Sequence, residues 1–364
     1  MTRVAVVHEV VSPYRTPLFS ALAHRPAIDL TVVLCGEREP RRSWTVELNR
    51  LPYPWIMSPS WSFGIGRVEK GTCFVPLGLG TTLDQLQPDV VVVGGYASAP
   101  AALALSWARR RKRAVIMWSE SIRTGRGGLI RWLKRANVAR ANAYVVPGRL
   151  AAQHLVSLGA NPLSIFQASN SIDLTRFRPP SRAPATPRRL LLCGQLIPRK
   201  GWHLVPAALV HADPERRAEL LVVGEGPGRR HLEESFAARG ISATFTGHVE
   251  YDRLPEVLRE ADSVVFPSLD DVWGFALQEA MACGLPAIAS DHAGATSELL
   301  QHGRNGWVVK PEVVSIARAL KTLLALSPLE WASMSACARA SSERLSIAQA
   351  VQGFERAIVA AQTS

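Results

Sequence analysis

The chain has 364 residues, is 47% hydrophobic and 20% charged, and carries a net charge of +12. This length suffices for two domains with cores of their own, and the composition excludes a disordered or fibrous chain. Five scattered cysteines (Cys35, Cys73, Cys193, Cys283 and Cys337) with no CxxC pair argue against a disulfide framework or a zinc site and fit reduced thiols in the cytoplasm.

The first apolar run, VAVVHEV from Val4, is too short and too soon interrupted for a secretory signal. It reads as a buried strand, followed by SPYRTPLFSALA from Ser12. Further strands are expected at LTVVLCG from Leu30, DVVVVGG from Asp89, AVIMWSE from Ala114 and AYVVPG from Ala143. The uncharged stretch from Val90 has about the length of a membrane span, and RRRKR from Arg109 follows it. Gly94-Gly95 and Pro100 punctuate it as strand, turn and helix instead.

RFRPPSRAPATPRR from Arg176 is proline-rich and polar, and reads as a linker. Beyond it come strands at LLLCGQL (Leu190), ELLVVGEG (Glu219), TFTGHV (Thr244), SVVFPS (Ser263) and AIAS (Ala287), nearly all followed by helical segments. Continuous apolar strands alternating with helices predict an α/β fold with two doubly wound parallel sheets. The expected domains are 1–178 and 179–345, with a C-terminal helix over 346–364 packing back towards the first domain. In doubly wound sheets ligands sit beyond the carboxyl ends of the strands, so two such domains imply a cleft lined by those ends.

The charge is uneven. Residues 1–180 hold 23 Lys and Arg against 10 Asp and Glu, whereas residues 181–364 hold 19 against 20. Between Arg109 and Arg149 twelve basic residues face one acid, Glu120. GGLIRWLKRANVARANA from Gly127 mixes Arg131, Lys134, Arg135 and Arg140 with Leu129, Trp132 and Leu133 at helical spacing. Such a helix suits an anionic membrane surface, and equally a solvated face of an arginine-rich protein. No zinc-finger or RNP-like signature accompanies the charge, so nucleic acid is not an expected partner.

The segment DVWGFALQEAMACGLP carries Asp271 in a loop and Glu279 eight residues on, inside the helix that FALQEAMA predicts. Gly284 and Pro286 end that helix. Its start offers unpaired N–H groups and a positive dipole end, a seat for phosphate, and Gly274 allows close approach of the backbone. CGQLIPRKGWHL places Arg199 and Lys200 after a strand, where they can neutralise a diphosphate. VVGEGPGRRHL from Val222 is a glycine-rich turn that lacks the GxGxxG spacing.

Taken in order, these segments resemble the donor domain of the retaining glycosyltransferases of family 4, which have the two-Rossmann (GT-B) architecture. The matching features are the R…KG segment, the GxGP turn, the TGxV strand end, the two acids eight residues apart, and DHAGATSELLQHGRNGWVV from Asp291, over about residues 189–310. ASNSIDLTRFRP from Ala168 is similar to the family's domain-joining segment, with Ser171 where glycine is usual. SPYRTPLFSALA resembles the first loop of members active on cell-surface polysaccharides. The resemblance is weakest between Glu37 and Thr82.

The resemblance implies that Glu279 binds the donor ribose and Asp271 the donor sugar. Arg199 and Lys200 would stabilise the leaving diphosphate. Gly194, Gln195, Gly224, Val249, Trp273, Gly274, Phe275 and Ala276 would line the donor, with Val249 seating the base. Pro13, Tyr14 and Arg15 would meet the acceptor. Glu120 stands where the family often has histidine; it would bind an acceptor or sugar hydroxyl, or pair with nearby arginines. Asp271 replaces the usual glutamate, and Gln195 replaces an arginine.

A UDP- or GDP-sugar donor, a lipid-linked or cell-surface saccharide acceptor, and a cytoplasmic location peripheral to the inner membrane face are expected. No cofactor or metal is expected, because cations and the helix dipole would serve the leaving group. Two other readings stand beside this: a soluble transferase for a small natural product or sugar phosphate, and a non-catalytic nucleotide- or carbohydrate-binding protein.

Overall fold

The computed structural model describes residues 1–38, 46–64, 72–95, 98–122, 128–179 and 188–363. It separates into two compact units, Met1–Ser171 with Ile347–Ser364, and Ile172–Ser346.

The first unit begins β1 (Thr2–His8), α1 (Thr16–Ala23), β2 (Ile28–Leu34), β3 (Trp55–Met57), β4 (Ser60–Gly64) and β5 (Thr72–Pro76). It continues α2 (Leu79–Leu86), β6 (Val90–Gly94), α3 (Ala99–Arg111), β7 (Ala114–Trp118), α4 (Gly128–Val138), β8 (Ala143–Val146), α5 (Arg149–Ser157) and β9 (Ile165–Gln167). Its parallel sheet runs β3-β2-β1-β6-β7-β8-β9. Val4 and Val6 face one core with Phe19 and Leu22 of α1, while Ala5 and Val7 face the other with Leu83 of α2 and Ala104 of α3. Burial on both faces is why β1 reads as an unbroken apolar run rather than an alternating one. The uncharged stretch at Val90 is strand then helix, and α3 is capped by the Ser98 hydroxyl accepting from the Ala101 N–H. Among the described residues no helix is long and apolar enough to cross a membrane.

The second unit holds β10 (Arg189–Cys193), α6 (Val205–Ala212), β11 (Glu219–Val223), α7 (Arg229–Ala237), β12 (Ser242–Gly247), α8 (Leu254–Leu258) and β13 (Ser263–Phe266). It closes with α9 (Phe275–Ala282), β14 (Ala287–Ser290), α10 (Gly294–Leu299), β15 (Gly306–Val309), α11 (Val313–Leu324) and α12 (Pro328–Glu343). Its sheet order is β12-β11-β10-β13-β14-β15, all parallel, the Rossmann order. The cap of α12 is a full capping box between Ser327 and Glu330.

The last helix, α13 (Ile347–Thr363), packs in the first unit, against α1, β7, β8 and β9. It crosses the backbone so closely that a Cβ on Gly353 would stand 2.1 Å from the Gln167 carbonyl oxygen. Gly353→Ala should therefore lower stability by about 1–3 kcal/mol through overpacking, although alanine is the better helix former. A denaturant melt that left the midpoint unchanged or raised it would refute that contact.

Three sequence expectations need correction. The passage between units falls at Ser171/Ile172 rather than after residue 178. Phe177 is fully buried in the second unit, edge-on to Tyr251 at 6.0 Å, and its carbonyl accepts a hydrogen bond from Arg339. The start of the proline-rich segment thus belongs to a core, and residues 180–187 of the expected linker lie outside those described. Second, β12 is an edge strand with alternate residues exposed, not one buried on both faces. Third, four regions missing from the expected strands are strands: β3, the antiparallel hairpin β4–β5, β9 and β15. The first three are short or lie in the weakly patterned stretch after Glu37.

Candidate active site

In each sheet the strand order reverses once, between β1 and β6 in the first unit and between β10 and β13 in the second. Ligands of doubly wound sheets bind beyond the strand ends at such points. The chemistry-bearing residues gather at both.

In the second unit the turns after β10, β11 and β12 stack by backbone contact. The Gly194 N–H donates to the Val223 carbonyl at 2.9 Å, and the Gly224 N–H to the Gly247 carbonyl at 2.8 Å. Gly224 has φ +130°, and a Cβ there would lie 2.1 Å from the Gly194 oxygen, so glycine is required. Gln195 holds this turn through its carbonyl, which accepts from the Trp202 indole N–H at 2.9 Å. Val249 follows β12, half-buried beyond the strand end.

The turn before α9 brings acid and base together. Asp271 is 7% exposed, and its Oδ2 lies 2.5 Å from Lys200 Nζ and its Oδ1 3.8 Å from Arg199 Nη1. Arg199 is also anchored on the Asp270 carbonyl at 2.6 Å, and the Lys200 ammonium sits 5.1 Å from the Phe266 ring centre. Two segments far apart in sequence thus present two cations and one carboxylate on a single spot. Gly274 precedes the helix with φ +110°, and a Cβ there would stand 2.9 Å from the Phe266 ring. No side chain caps the start of α9. A Cβ on Gly274 would also lie 3.9 Å from Asp271 Oδ2, so the helix begins beside the carboxylate that Lys200 and Arg199 flank, and two cations next to a helix start suit a diphosphate.

Glu279 lies within α9, 1% exposed, and among the described residues its Oε1 has no hydrogen-bond partner. Burial pushes its pKa up to about 8. An orphaned carboxyl in a core is costly, and such groups mark functional positions. It is close enough to Tyr251 and Cys193 to push both of their pKa values up further than burial alone does.

Trp273 stands apart from this group. Its ring is 2% exposed, with the indole N–H on Gln278 Oε1 at 2.9 Å, and its carbonyl accepts from the Ala295 N–H. Its side chain is a packing element, so only its backbone can meet a ligand.

In the first unit Glu120 follows β7 and Arg15 precedes α1. They form an ion pair, with the Arg15 side chain 10% exposed and that of Glu120 26%. The same guanidinium donates to Asn170 Oδ1 at 2.7 Å and lies 4.2 Å from the Trp118 ring centre. Of the expected acceptor residues, Pro13 and Tyr14 are half-buried while Arg15 is committed to internal partners. Sequence reasoning passed over three members of this cluster: Trp118, Asn170 and His8. The position of His8 at the end of a buried strand was the available signal. The ring stands edge-on to Phe19 and Trp118, each at 6.0 Å, and burial followed by the Arg15 cation holds its pKa down at about 4. It is a neutral imidazole at physiological pH.

Residues 173–340 match the family model described as "Glycosyl transferases group 1". This segment is a group 1 glycosyl transferase domain. It contains every residue of the second-unit site. The chain is 34% identical over 170 residues to the D-inositol 3-phosphate glycosyltransferase of Rhodococcus jostii, covering 42% of this chain and 37% of that protein. It is 28% identical over 211 residues to sulfoquinovosyl transferase SQD2 of Arabidopsis thaliana, covering 54% and 39%. These alignments span well under half the length of those two relatives. HepE of Anabaena, solved in complex with UDP and glucose, superposes on 99% of this chain and 100% of its own with a TM-score of 0.77 at 17% identity. At that identity the likeness is one of fold, and it extends over both units. The α/β class with two Rossmann-like sheets expected of the GT-B architecture is the one observed.

Proposed function

We propose that the protein is a retaining glycosyltransferase that moves a sugar from a UDP- or GDP-sugar onto a lipid-linked or cell-surface saccharide, working at the cytoplasmic side of a membrane. One observation carries the reading: a fully buried carboxyl with an unpartnered oxygen, Glu279, shares an uncapped helix start with a Lys200–Asp271 pair. A nucleoside diphosphate sugar supplies what this arrangement lacks. Its ribose hydroxyls donate to Glu279, its phosphates meet the α9 N–H groups, and its sugar hydroxyls reach Asp271.

As the anomeric C–O bond breaks, negative charge develops on the departing diphosphate. Arg199, Lys200 and the α9 dipole stabilise that charge, the largest lever such a site offers. The acceptor hydroxyl attacks from the leaving-group side and gives its proton to the departing phosphate. In the first unit Glu120 accepts a hydrogen bond from the acceptor, and Arg15 keeps its carboxylate aimed.

Lys200→Ala should reduce turnover about 10²-fold, as loss of one transition-state donor does. Donor-consumption kinetics check this, and an unchanged kcat would remove Lys200 from the leaving-group cradle. The reading as a whole is tested by thermal shift against UDP, GDP and their sugars, because binding to the native state raises Tm by mass action. A flat response to every nucleotide would sink it. The similarity to the D-inositol 3-phosphate enzyme favours a second reading, a small soluble sugar-phosphate acceptor. Transfer to such an acceptor without any lipid would decide for it.

A further inference from the structure

A second feature of the first unit lies outside the catalytic groups. Helix α4 borders an open groove of about 510 Å³ that reaches the turn after α5. Arg131 and Arg135, one turn apart on α4, line it together with Trp132, Ala136 and Leu158. Both arginines are exposed, and among the described residues neither has an acidic partner. From Gly128 to Arg149 the sequence contains no Asp or Glu. The one acid between Arg109 and Arg149, Glu120, is already bound to Arg15. Beside the charges stand two large apolar side chains turned outward, Trp132 at 63% and Leu133 at 49% exposure.

A folded chain that leaves paired-spacing guanidiniums without counter-charge and a tryptophan in water has the chemistry of an interfacial helix. Cations meet lipid phosphates while the indole and leucine enter the headgroup–acyl boundary. A second copy of the chain is a poor occupant. A twofold contact there would oppose Arg131, Lys134 and Arg135 to the same cations. A purely polyanionic partner such as nucleic acid leaves the exposed Leu133 unexplained.

We propose that the α4 groove is a docking site for an anionic phospholipid surface, with Arg131 and Arg135 on the headgroup phosphates and Trp132 and Leu133 inserted beside them. This rests on the proposed lipid-linked acceptor only for its purpose; the docking itself is independent of catalysis. It would hold the enzyme where a lipid-linked saccharide is presented.

The test is flotation of the full chain with phosphatidylcholine vesicles, with and without phosphatidylglycerol. Binding should require phosphatidylglycerol and weaken with added salt. Each arginine removed should cost roughly fivefold in partitioning, so Arg131→Gln/Arg135→Gln should lose about 25-fold. Trp132→Ala should weaken binding while leaving its salt dependence in place. The nucleotide-induced thermal shift, read from the other unit, should persist in all variants and shows that they are folded. Equal binding to both vesicle types, no binding at low salt, or an unaffected double variant would overturn the proposal. Salt-sensitive retention on duplex DNA as strong as on vesicles, and indifferent to Trp132→Ala, would assign the patch to nucleic acid instead. A chain that floats yet shows no nucleotide response would keep the docking site and discard the transferase reading.

Discussion

Glu279→Gln should make the protein more stable and inactive at once, and the gain in stability should grow with pH. The carboxyl is 1% exposed, and its pKa stands near 8 against 4.5 for the ordinary group. Below about pH 4.5 it is protonated in both the folded and unfolded chains and has no effect on the balance between them. As pH rises towards 8 the unfolded chain ionises while the folded one keeps its proton. The native state then binds more protons, so stability falls across that window. Above it the full penalty is present, up to about 5 kcal/mol for a shift of this size. Glutamine fills the same space and never ionises, so the difference in Tm between variant and parent should open between pH 5 and 8. Parallel Tm curves over that range would show that Glu279 is not held neutral.

With Glu279 on the donor ribose as proposed, the same group should give nucleotide binding a pH dependence. Ribose hydroxyls donate best to the ionised carboxylate, so a bound nucleotide favours loss of its proton. Affinity should rise by up to about tenfold per pH unit towards pH 8 and level off beyond it. Isothermal titration in buffers of different ionisation enthalpy should detect proton release near neutrality. Glu279→Gln should abolish both the release and the slope, and a slope that survived in it would belong to another group.

The second large effect concerns Arg15. Its guanidinium binds Glu120 and Asn170 and lies against Trp118, with only a tenth of its side chain exposed. Arg15→Ala would strand a carboxylate and an amide oxygen beside an apolar wall, and should cost about 3–5 kcal/mol. Glu120→Gln added to it should recover a good part of that loss, because no uncompensated charge remains. Strict additivity in the double-mutant cycle would argue that the two side chains do not interact. The kinetic signature is separate. Glu120→Gln alone should depress acceptor-dependent transfer while slow hydrolysis of the donor continues. An equal loss of both would make Glu120 a structural residue. Arg15→Lys cannot reproduce the fork to two partners, so it should rescue the fold better than the transfer.

Much of this protein was legible in its sequence because buried parallel strands leave unbroken apolar runs, and helix ends leave glycine and proline. Val90–Gly94 and Ser263–Phe266 are of that kind. The second-unit site was legible for a related reason. Asp271, Gly274 and Glu279 sit within nine residues on one turn and one helix, so their spacing already places them about the same helix start. The hairpin β4–β5 and the strand β9 were not, since short strands with exposed residues carry no continuous apolar signal.

What the chain order settled on its own was the alternation that makes two doubly wound sheets, and the nearness of Asp271, Gly274 and Glu279 along one turn and one helix. Folding decided the rest, because it depends on residues brought together over long separations. Only the packed core leaves an oxygen of Glu279 unpartnered, turns Trp273 inward, and delivers Arg15 to Glu120 across 105 residues. Side-chain burial and ion pairing are properties of neighbours in space, and a linear pattern records neighbours in space only where one turn of helix or one strand holds them.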